Sequence, residues 1–328
     1  MKILLDTDPG VGIPGTDADD PIALLLALAH PNLELLAVTT TFGNCPPQLS
    51  ARGALAVLQA ADRLDVPVAF GSSEPVAGQL SPILVEAYRG PRGREGEVAL
   101  PKAPNYGPAA ELIKKVIRDN PGEVTVVAIG PQTNLATALL EDPGLAELIP
   151  GVVAMGGAFG LHQRYGGGNI TDQAECNIYF DPLAAETVLR SGIPVSYVGL
   201  DVTNPDTGLV LTPAQLEMVG QRGPVGRIFH QVCRTYLAHP MFDLSHGCVL
   251  YDPLAMMAAA EPTTGSWREV RVAIDTCDGP ERGRTILGAA AGSPARVMDG
   301  VDGARVVTEI CRLIDRLDVG SAERQVET

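Results

Sequence analysis

The segment that decides the fold reads Ile3-Leu4-Leu5-Asp6-Thr7-Asp8-Pro9-Gly10, an apolar run that ends in two aspartates. Three more aspartates follow in Asp17-Ala18-Asp19-Asp20, directly before an apolar segment at residues 21–30. The apolar run predicts a short buried strand. Residues 21–30 predict a helix, because Pro21 suits a first helical turn and acids precede it. The chain therefore opens with a strand, an acidic loop and a helix.

The same alternation continues along the chain. Apolar and β-branched runs predict further strands, at residues 35–41, 66–70, 124–129, 152–155 and 195–200. Helical patterns lie between them, at residues 49–61, 109–119, 134–141 and 183–190. Continuous apolar strands that alternate with helices are typical of a mainly parallel sheet with helices on both faces. We therefore predict an α/β fold of this kind.

Two irregular stretches interrupt the alternation, at residues 71–108 and 156–172. Long loops inside a compact domain are uncommon and often functional. No linker or low-complexity run marks a boundary, so residues 1–328 are expected to form a single domain. Beyond Leu211 the pattern predicts helices, short strands near residues 270–274 and 296–298, and a closing helix at about residues 302–318.

The charge balance argues against some partners. The chain carries 24 basic and 39 acidic residues, which gives a net charge of −15. An acidic chain with few basic clusters is a poor ligand for nucleic acid and for an anionic membrane surface. Asp6 interrupts the first apolar run too early for a signal peptide, and no apolar stretch is long enough to span a bilayer. We therefore expect a cytoplasmic protein.

Polar segments follow several of the predicted strands. Ligands bind at the carboxyl ends of the strands in an open parallel sheet. Five segments have this position: residues 6–10, 41–44, 129–134, 156–177 and 201–204. We therefore expect side chains that are far apart in sequence to meet at one edge of the sheet.

The aspartates of the opening segment favour a divalent-metal site. Packed carboxylates repel one another, and a hard cation removes that cost; calcium takes six to eight oxygen ligands. A second interpretation is that Asp19 and Asp20 only cap the following helix. Because Asp6 and Asp8 stand directly after a buried strand, the metal site is the favoured interpretation.

Two other polar regions are each open to two interpretations. Asp252 precedes an apolar helical run, so it either adds a carboxylate to the site or serves as an N-cap with Pro253 in the first turn. Residues 169–177 carry amides and a carboxylate that would hydrogen-bond sugar hydroxyls. The other interpretation of these residues is an ordinary solvated loop.

Seven blocks of the chain, in order, match one known family. The blocks are Asp6-Thr7-Asp8-Pro9-Gly10 with the later Asp19-Asp20, Thr39-Thr40-Thr41-Phe42-Gly43-Asn44, Gly130-Pro131-Gln132-Thr133-Asn134-Leu135-Ala136, Met155-Gly156-Gly157-Ala158, residues 174–182, Gly199-Leu200-Asp201-Val202-Thr203 and Tyr251-Asp252-Pro253. Together they resemble the inosine-uridine preferring nucleoside hydrolase family. One such block would be a weak signal, whereas seven in the family's order, over most of the chain, are specific.

The resemblance implies calcium-dependent hydrolysis of the N-glycosidic bond of ribonucleosides to ribose and free base. It implies a calcium ion bound by the side chains of Asp8, Asp20 and Asp252 and by the main-chain carbonyl of Ile129. Asp8 would also take the proton of the attacking water, with Asp6 as its support. Ribose hydroxyls would be held by five side chains, those of Asp19, Asn44, Asn169, Glu175 and Asn177. Homodimers or homotetramers are usual in the family.

Three departures from the family pattern bear on the site. The loop before Asp19 is longer than usual, so Asp17 is a candidate to substitute for a neighbouring acid. Tyr251 stands where many members carry a His that protonates the leaving base; His239 and His246 are candidates to replace it, or are surface histidines. The family's His-containing segment in the first long loop is replaced by residues 88–96, with three arginines. This arginine segment would be a solvated basic loop, a mobile lid or a contact for a different leaving group, such as one with a phosphate.

Two other functions are weighed against the hydrolase. A non-catalytic nucleoside- or ribose-binding protein would bind the metal and the sugar without turnover. A magnesium-dependent phosphatase of the haloacid dehalogenase type also begins with Asp-x-Asp after a strand, but Gly10 stands where it needs Thr or Val.

Overall fold

A central sheet between layers of helices makes up the fold. The computed structural model describes residues 1–96, 100–102, 107–162, 167–238 and 247–327. The strands in this part of the chain are β1 (Lys2–Thr7), β2 (Glu34–Thr40), β3 (Val68–Phe70), β4 (Val124–Ala128), β5 (Val152–Met155), β6 (Val195–Val198), β7 (Val210–Leu211), β8 (Cys248–Val249), β9 (Gly265–Ile274), β10 (Thr285–Leu287) and β11 (Ser293–Val301). The α-helices are α1 (Asp19–Ala29), α2 (Pro47–Ala60), α3 (Pro82–Arg89), α4 (Ala109–Asp119), α5 (Thr133–Glu141), α6 (Cys176–Phe180), α7 (Pro182–Arg190), α8 (Pro213–Leu216), α9 (Pro224–Leu237), α10 (Tyr251–Ala260) and α11 (Gly303–Glu327).

Nine of the strands form one sheet in the order β10-β9-β11-β6-β5-β4-β1-β2-β3. From β3 to β11 each strand is parallel to its neighbour. Strand β9 runs antiparallel to both β11 and β10, and β7 and β8 form a separate antiparallel pair. The mainly parallel sheet predicted from the sequence is therefore confirmed.

The sheet is covered on both faces, as its continuous apolar strands require. Along β1, Ile3 and Leu5 pack into one hydrophobic core with residues of α1, α2 and α10. Leu4 points to the opposite face and packs with residues of α4, α5 and α7. All three side chains are fully buried, and each contributes about 1.5–3 kcal/mol of hydrophobic free energy.

The acids before α1 and α10 are not helix caps. Helix α1 begins at Asp19 itself, and Ala18, which precedes it, makes no side-chain capping bond. Asp252 lies in the first turn of α10, whose N-cap position is Leu250. The capping interpretations of Asp19, Asp20 and Asp252 are therefore wrong, and the three carboxylates are available to other partners.

Residues 71–108, predicted to be irregular, contain a helix. Helix α3 begins after Ser81, whose hydroxyl accepts a bond from the backbone N–H of Ile83. A 3-10 turn follows at Pro91–Gly93. Within α3 only Leu84 is buried, where it packs with Phe42 and Phe180. With a single buried side chain, the helix has too narrow an apolar face to be read from the sequence.

The polar segments after the strands meet at one edge with one exception. Asp201 is buried and accepts bonds from the backbone N–H groups of Phe159 and Leu161. The segment 201–204 therefore supports the loop after β5 and does not line the cavity described below.

Among the described residues, no helix combines the length and the apolar character that crossing a membrane requires.

Candidate active site

A cavity of about 320 Å³ opens at the carboxyl ends of β1, β2, β4 and β5. Its lining includes six acids: Asp8, Asp17, Asp19, Asp20, Glu175 and Asp252. A larger cavity of about 570 Å³, beside Tyr179 and Arg282, has only Asp181 and Asp278 as acids in its lining. The acid-rich cavity is therefore the candidate site. We call its five aspartates, Asp8, Asp17, Asp19, Asp20 and Asp252, the acidic floor.

Asp8 sits in a narrow slot between two glycines. Its Oδ2 accepts a bond of 2.6 Å from the backbone N–H of Asn44. A Cβ at Gly43, whose φ is +153°, would lie 2.1 Å from this oxygen, and a Cβ at Gly130 would lie 2.4 Å from Oδ1. Because any side chain at these two positions would displace the carboxylate, the glycines of the two strand ends fix where Asp8 lies.

Asp19 and Asp20 reach the floor from the first turn of α1. Asp20 Oδ1 accepts bonds from the Thr7 hydroxyl and from the backbone N–H of Asp8, the latter of 2.8 Å. Asp19 Oδ2 accepts a bond of 3.2 Å from the backbone N–H of Asp252. Asp19 Oδ1 is buried and has no hydrogen-bond partner within the described residues. A buried carboxylate oxygen without a donor is a costly arrangement unless a ligand satisfies it.

Asp17 also lies in the floor, although its place was left open by the sequence. Single carboxylate oxygens of Asp17, Asp19 and Asp20 lie within 4.8 Å of one another. The side-chain amide of Asn44 donates to Asp17 Oδ1 at 2.7 Å and to Asp20 Oδ2 at 2.9 Å. The longer loop before α1 therefore brings an additional acid to the cluster.

The floor is electrostatically unfavourable without a counter-charge. Burial, followed by the charge of Asp20, raises the pKa of Asp8 well above its ordinary range. Burial and the charge of Asp17 raise the pKa of Asp20 to about 7, against hydrogen bonds that lower it. Burial, then Asp19, raises the pKa of Asp252 strongly. Each shift expresses the cost of holding several negative charges in one buried place.

Asp6 lies behind the floor and does not line the cavity. Its Oδ1 accepts bonds from the Thr39 hydroxyl at 2.6 Å and from the Asn134 amide at 2.7 Å. Burial raises its pKa to about 7, and its Oδ2 has no partner within the described residues. Asp6 therefore joins the ends of β1 and β2 to the start of α5.

One wall of the cavity is formed by Asn169, Ile170, Glu175, Cys176 and Asn177. The interpretation as an ordinary solvated loop is therefore wrong for these residues, whereas it holds for the exposed Asp172 and Gln173. Glu175 accepts bonds from the backbone N–H groups of Asn177, Ile178 and Gly157, at 2.7, 3.1 and 3.0 Å. The Asn177 amide donates to the carbonyl of Ile129 at 3.0 Å. Asn169 Oδ1 accepts a bond from the backbone N–H of Cys176. The wall and the strand ends are therefore linked directly.

Tyr251 lines the cavity at the start of α10. Burial, followed by the charge of Asp19, raises the pKa of its phenol, which makes it a weaker proton donor. His239 and His246, the other candidates for this role, lie outside the described residues.

Arg92 is a part of the site whose role was left open in the sequence analysis. Its Nε donates to the carbonyl of Asn44 and its Nη2 to the carbonyl of Gly43, both at 2.6 Å. The interpretation as a solvated basic loop is therefore wrong for Arg92, which lines the cavity. It holds for Arg89 and Arg94, which are exposed. No local pattern separates the three arginines, because the partners of Arg92 lie more than forty residues earlier.

The sequence profile of the inosine-uridine preferring nucleoside hydrolases matches residues 3–308 of the chain. The chain belongs to this family. As a member of it, the chain is an N-glycosidase, which favours the hydrolase over the phosphatase alternative.

Named relatives agree with this family. The chain is 36% identical over 280 residues to uridine nucleosidase 1 of Arabidopsis thaliana, with 84% of this chain and 78% of the relative covered. It is 38% identical over 296 residues to a pyrimidine-specific ribonucleoside hydrolase of Klebsiella pneumoniae, with 88% of each covered. The fold is similar to that of a purine-preferring ribonucleoside hydrolase from Gardnerella vaginalis, with a TM-score of 0.80, 30% identity, and coverage of 97% and 99%.

Proposed function

We propose that the chain catalyses calcium-dependent hydrolysis of the N-glycosidic bond of ribonucleosides to ribose and free base. The observation that carries this proposal is the acidic floor, in which four aspartates with at most 4% exposure face a cavity of nucleoside size. Membership of a nucleoside hydrolase family supports the reaction, and the names of its relatives support the substrate class.

The donor set of the floor fits a hard divalent cation. It consists of carboxylate oxygens, which calcium prefers, and Asp19 Oδ1 beside this set is buried without a donor among the described residues. We propose that the side chains of Asp8, Asp20 and Asp252 and the carbonyl of Ile129 hold the ion. When bound, the cation supplies positive charge that makes a neighbouring water more acidic. It would also offset the repulsion that raises the pKa values of these carboxylates.

Asp8 is the proposed general base. Its Oδ2 is occupied by the Asn44 N–H, and Oδ1 has no hydrogen bond from the described residues. Oδ1 is thus the oxygen that can accept a proton from water. The water oxygen then bonds to C1′ of the ribose as the bond from C1′ to the base breaks, and the bond's electron pair leaves with the base. General-base catalysis of this kind typically contributes about 10²- to 10⁴-fold.

The surrounding carboxylates would stabilise the reacting sugar. Cleavage of a glycosidic bond passes through a state with oxocarbenium character, so positive charge develops on the ribose. Negative groups held in place before the reaction stabilise such charge without reorganisation. We propose that Asp19, Asn44, Asn169, Glu175 and Asn177 bind the ribose hydroxyls. Asp6 acts through Thr39 and Asn134, which hold the strand ends beside Asp8.

Three further expectations from the sequence stay proposals, and one of them, the oligomeric state, rests on the family resemblance. We propose that residues 1–328 form a single domain, that the chain assembles as a homodimer or homotetramer, and that it acts in the cytoplasm. Light scattering on the purified protein, coupled to size-exclusion chromatography, measures the number of copies directly.

A nucleoside panel tests the reaction. The purified protein with calcium is incubated with uridine, cytidine, inosine and adenosine, and released ribose is measured as reducing sugar. We expect ribose from at least one nucleoside and its loss after chelation. Both pyrimidine and purine nucleosides are needed, because the relatives differ in their named preference. Binding of nucleosides without any ribose would instead identify a non-catalytic binding protein.

A further inference from the structure

The rim of the cavity differs in charge from the floor. We define the rim as Ile83, Arg92 and Ile170, which line the cavity and are exposed or half-buried. Asp8, Asp19, Asp20 and Asp252 in the floor are at most 4% exposed. Arg92 is the only lysine, arginine or histidine in the lining formed by the described residues. The lining therefore combines the carboxylates of the floor, four of them buried, with one half-buried cation.

The guanidinium of Arg92 is held by two hydrogen bonds, and one of its nitrogens remains available to a ligand. Two of its nitrogens bond to the carbonyls of Asn44 and Gly43. The Gly43 peptide is in turn held by Tyr88, whose hydroxyl accepts from its N–H at 2.8 Å. Nη1 of Arg92 has no acceptor within the described part of the chain. A fixed guanidinium with an unused N–H edge is suited to binding an oxygen or nitrogen of a ligand.

The proposed reaction creates a negative charge that the floor cannot stabilise. When the bond to C1′ breaks, the electron pair goes to the base, and six carboxylates line the same cavity. No imidazole lies in the described lining to protonate the base as it leaves. Among the described lining residues, Arg92 is the one side chain with a permanent positive charge that can meet this negative charge.

We propose that Arg92 stabilises the departing base through its charge and its free N–H edge. This inference rests on the proposed N-glycosidic hydrolysis. Arg92 keeps its own proton, so it acts by hydrogen bonding and charge, while the base takes up one proton from solvent and Asp8 releases to solvent the proton it accepted. Nucleoside and water then give ribose and neutral base. The favoured substrates are nucleosides whose base carries a carbonyl oxygen conjugated with the glycosidic nitrogen, because the negative charge spreads to that oxygen.

The charge distribution argues against a phosphate as the partner of Arg92. A phosphate would meet one guanidinium against six carboxylates in a cavity of about 320 Å³. The competing role is purely structural, in which Arg92 only holds the Asn44 peptide beside Asp8. These roles differ in a measurable way, because a positioning defect slows every substrate, whereas loss of leaving-group stabilisation slows only substrates with poor leaving groups.

The test compares nucleosides with an activated riboside. The kcat/KM of Arg92→Gln is measured on uridine, on inosine and on p-nitrophenyl β-D-ribofuranoside, whose leaving group is stable as an anion in water. We expect a loss of about 100-fold on the better of the two nucleosides, the size typical for one donor to a developing charge. On the nitrophenyl riboside we expect a loss of less than about tenfold. Arg94→Gln, an exposed change in the same segment, should leave all three kcat/KM values unchanged.

The remaining outcomes of this comparison would overturn the inference. Equal losses on nucleosides and on the nitrophenyl riboside, or no loss on either, would overturn the inference. Arg92→Lys, which keeps the charge, covers the case in which Arg92→Gln does not fold. The kcat/KM of Arg92→Lys on nucleosides should fall less than that of Arg92→Gln. An equal fall of kcat/KM on nucleosides and on the nitrophenyl riboside would again count against the proposal. If the unaltered protein released ribose from no nucleoside, the proposed function would fail, and this inference with it.

Discussion

The acidic floor and the rim meet in one cavity, and both contact Asn44, yet their charged groups reach the cavity over different sequence distances. Asp8 and Asp20 are twelve residues apart and bond to each other through the Asp8 N–H. Arg92 reaches carbonyls that lie 48 and 49 residues earlier. A local strand–loop–helix unit thus fixes part of the floor, which Asp252 joins from far along the chain, whereas the hydrogen bonds of Arg92 are all long-range. The floor should therefore govern whether any reaction occurs, and the rim which leaving groups are accepted.

The largest expected effect comes from the floor. Asp8→Asn should lower kcat by about 10²- to 10⁴-fold on every substrate, because the general base is lost. The fold should be kept, since the amide has nearly the same shape in the slot between Gly43 and Gly130. Steady-state kinetics on nucleosides and on the nitrophenyl riboside measure the effect. Asp65→Asn, which changes an exposed acid paired with Arg63, is the matched control. Near-normal rates in Asp8→Asn would reject the role of Asp8 as the general base.

A change behind the floor should have the next largest effect. Asp6→Asn removes a buried carboxylate that bonds Thr39 and Asn134. Groups that orient metal ligands typically affect metal affinity or activity by about 10–100-fold. Isothermal titration with calcium should show weaker binding of that size. An unchanged affinity together with unchanged kcat would mean that Asp6 only joins the strand ends.

The crowding of acids predicts a pH dependence of the metal-free protein. The pKa of Asp6 and that of Asp20 are raised to about 7, so the folded state binds more protons than the unfolded state between about pH 4 and pH 7. Stability should therefore fall as pH rises through this range, by about 1.4 kcal/mol per pH unit for each such proton. Thermal unfolding without calcium measures it. Calcium should raise Tm more at pH 8 than at pH 6, and the reverse order would contradict the prediction.

The smallest effect is expected at Asp17. Its Oδ1 accepts one hydrogen bond from Asn44, and a typical hydrogen bond contributes about 0.5–1.5 kcal/mol. Asp17→Asn should therefore change calcium affinity and kcat by less than about tenfold, measured by titration and kinetics. A loss as large as that of Asp8→Asn would place Asp17 among the essential acids.

The difference between floor and rim also sets what the sequence can predict. The parallel sheet was predictable, because apolar runs such as Val124–Ala128 allow few other structures. The meeting of Asp8 with Asn44 and Ile129 was predictable, because each follows a parallel strand. The role of Arg92 was not, because nothing local distinguishes it from the exposed Arg89 and Arg94. Helix α3 was not predicted for a related reason, because Leu84 is its one buried side chain and gives no apolar periodicity.

A crystal structure of the protein grown with calcium tests the central claim most directly. The account predicts one calcium ion in the cavity, bound by side-chain oxygens of Asp8, Asp20 and Asp252 and by the carbonyl of Ile129. Asp17 should lie beside this set without replacing one of its members. A cavity that takes up no calcium at millimolar concentration, or an ion held outside the acidic floor, would contradict the account.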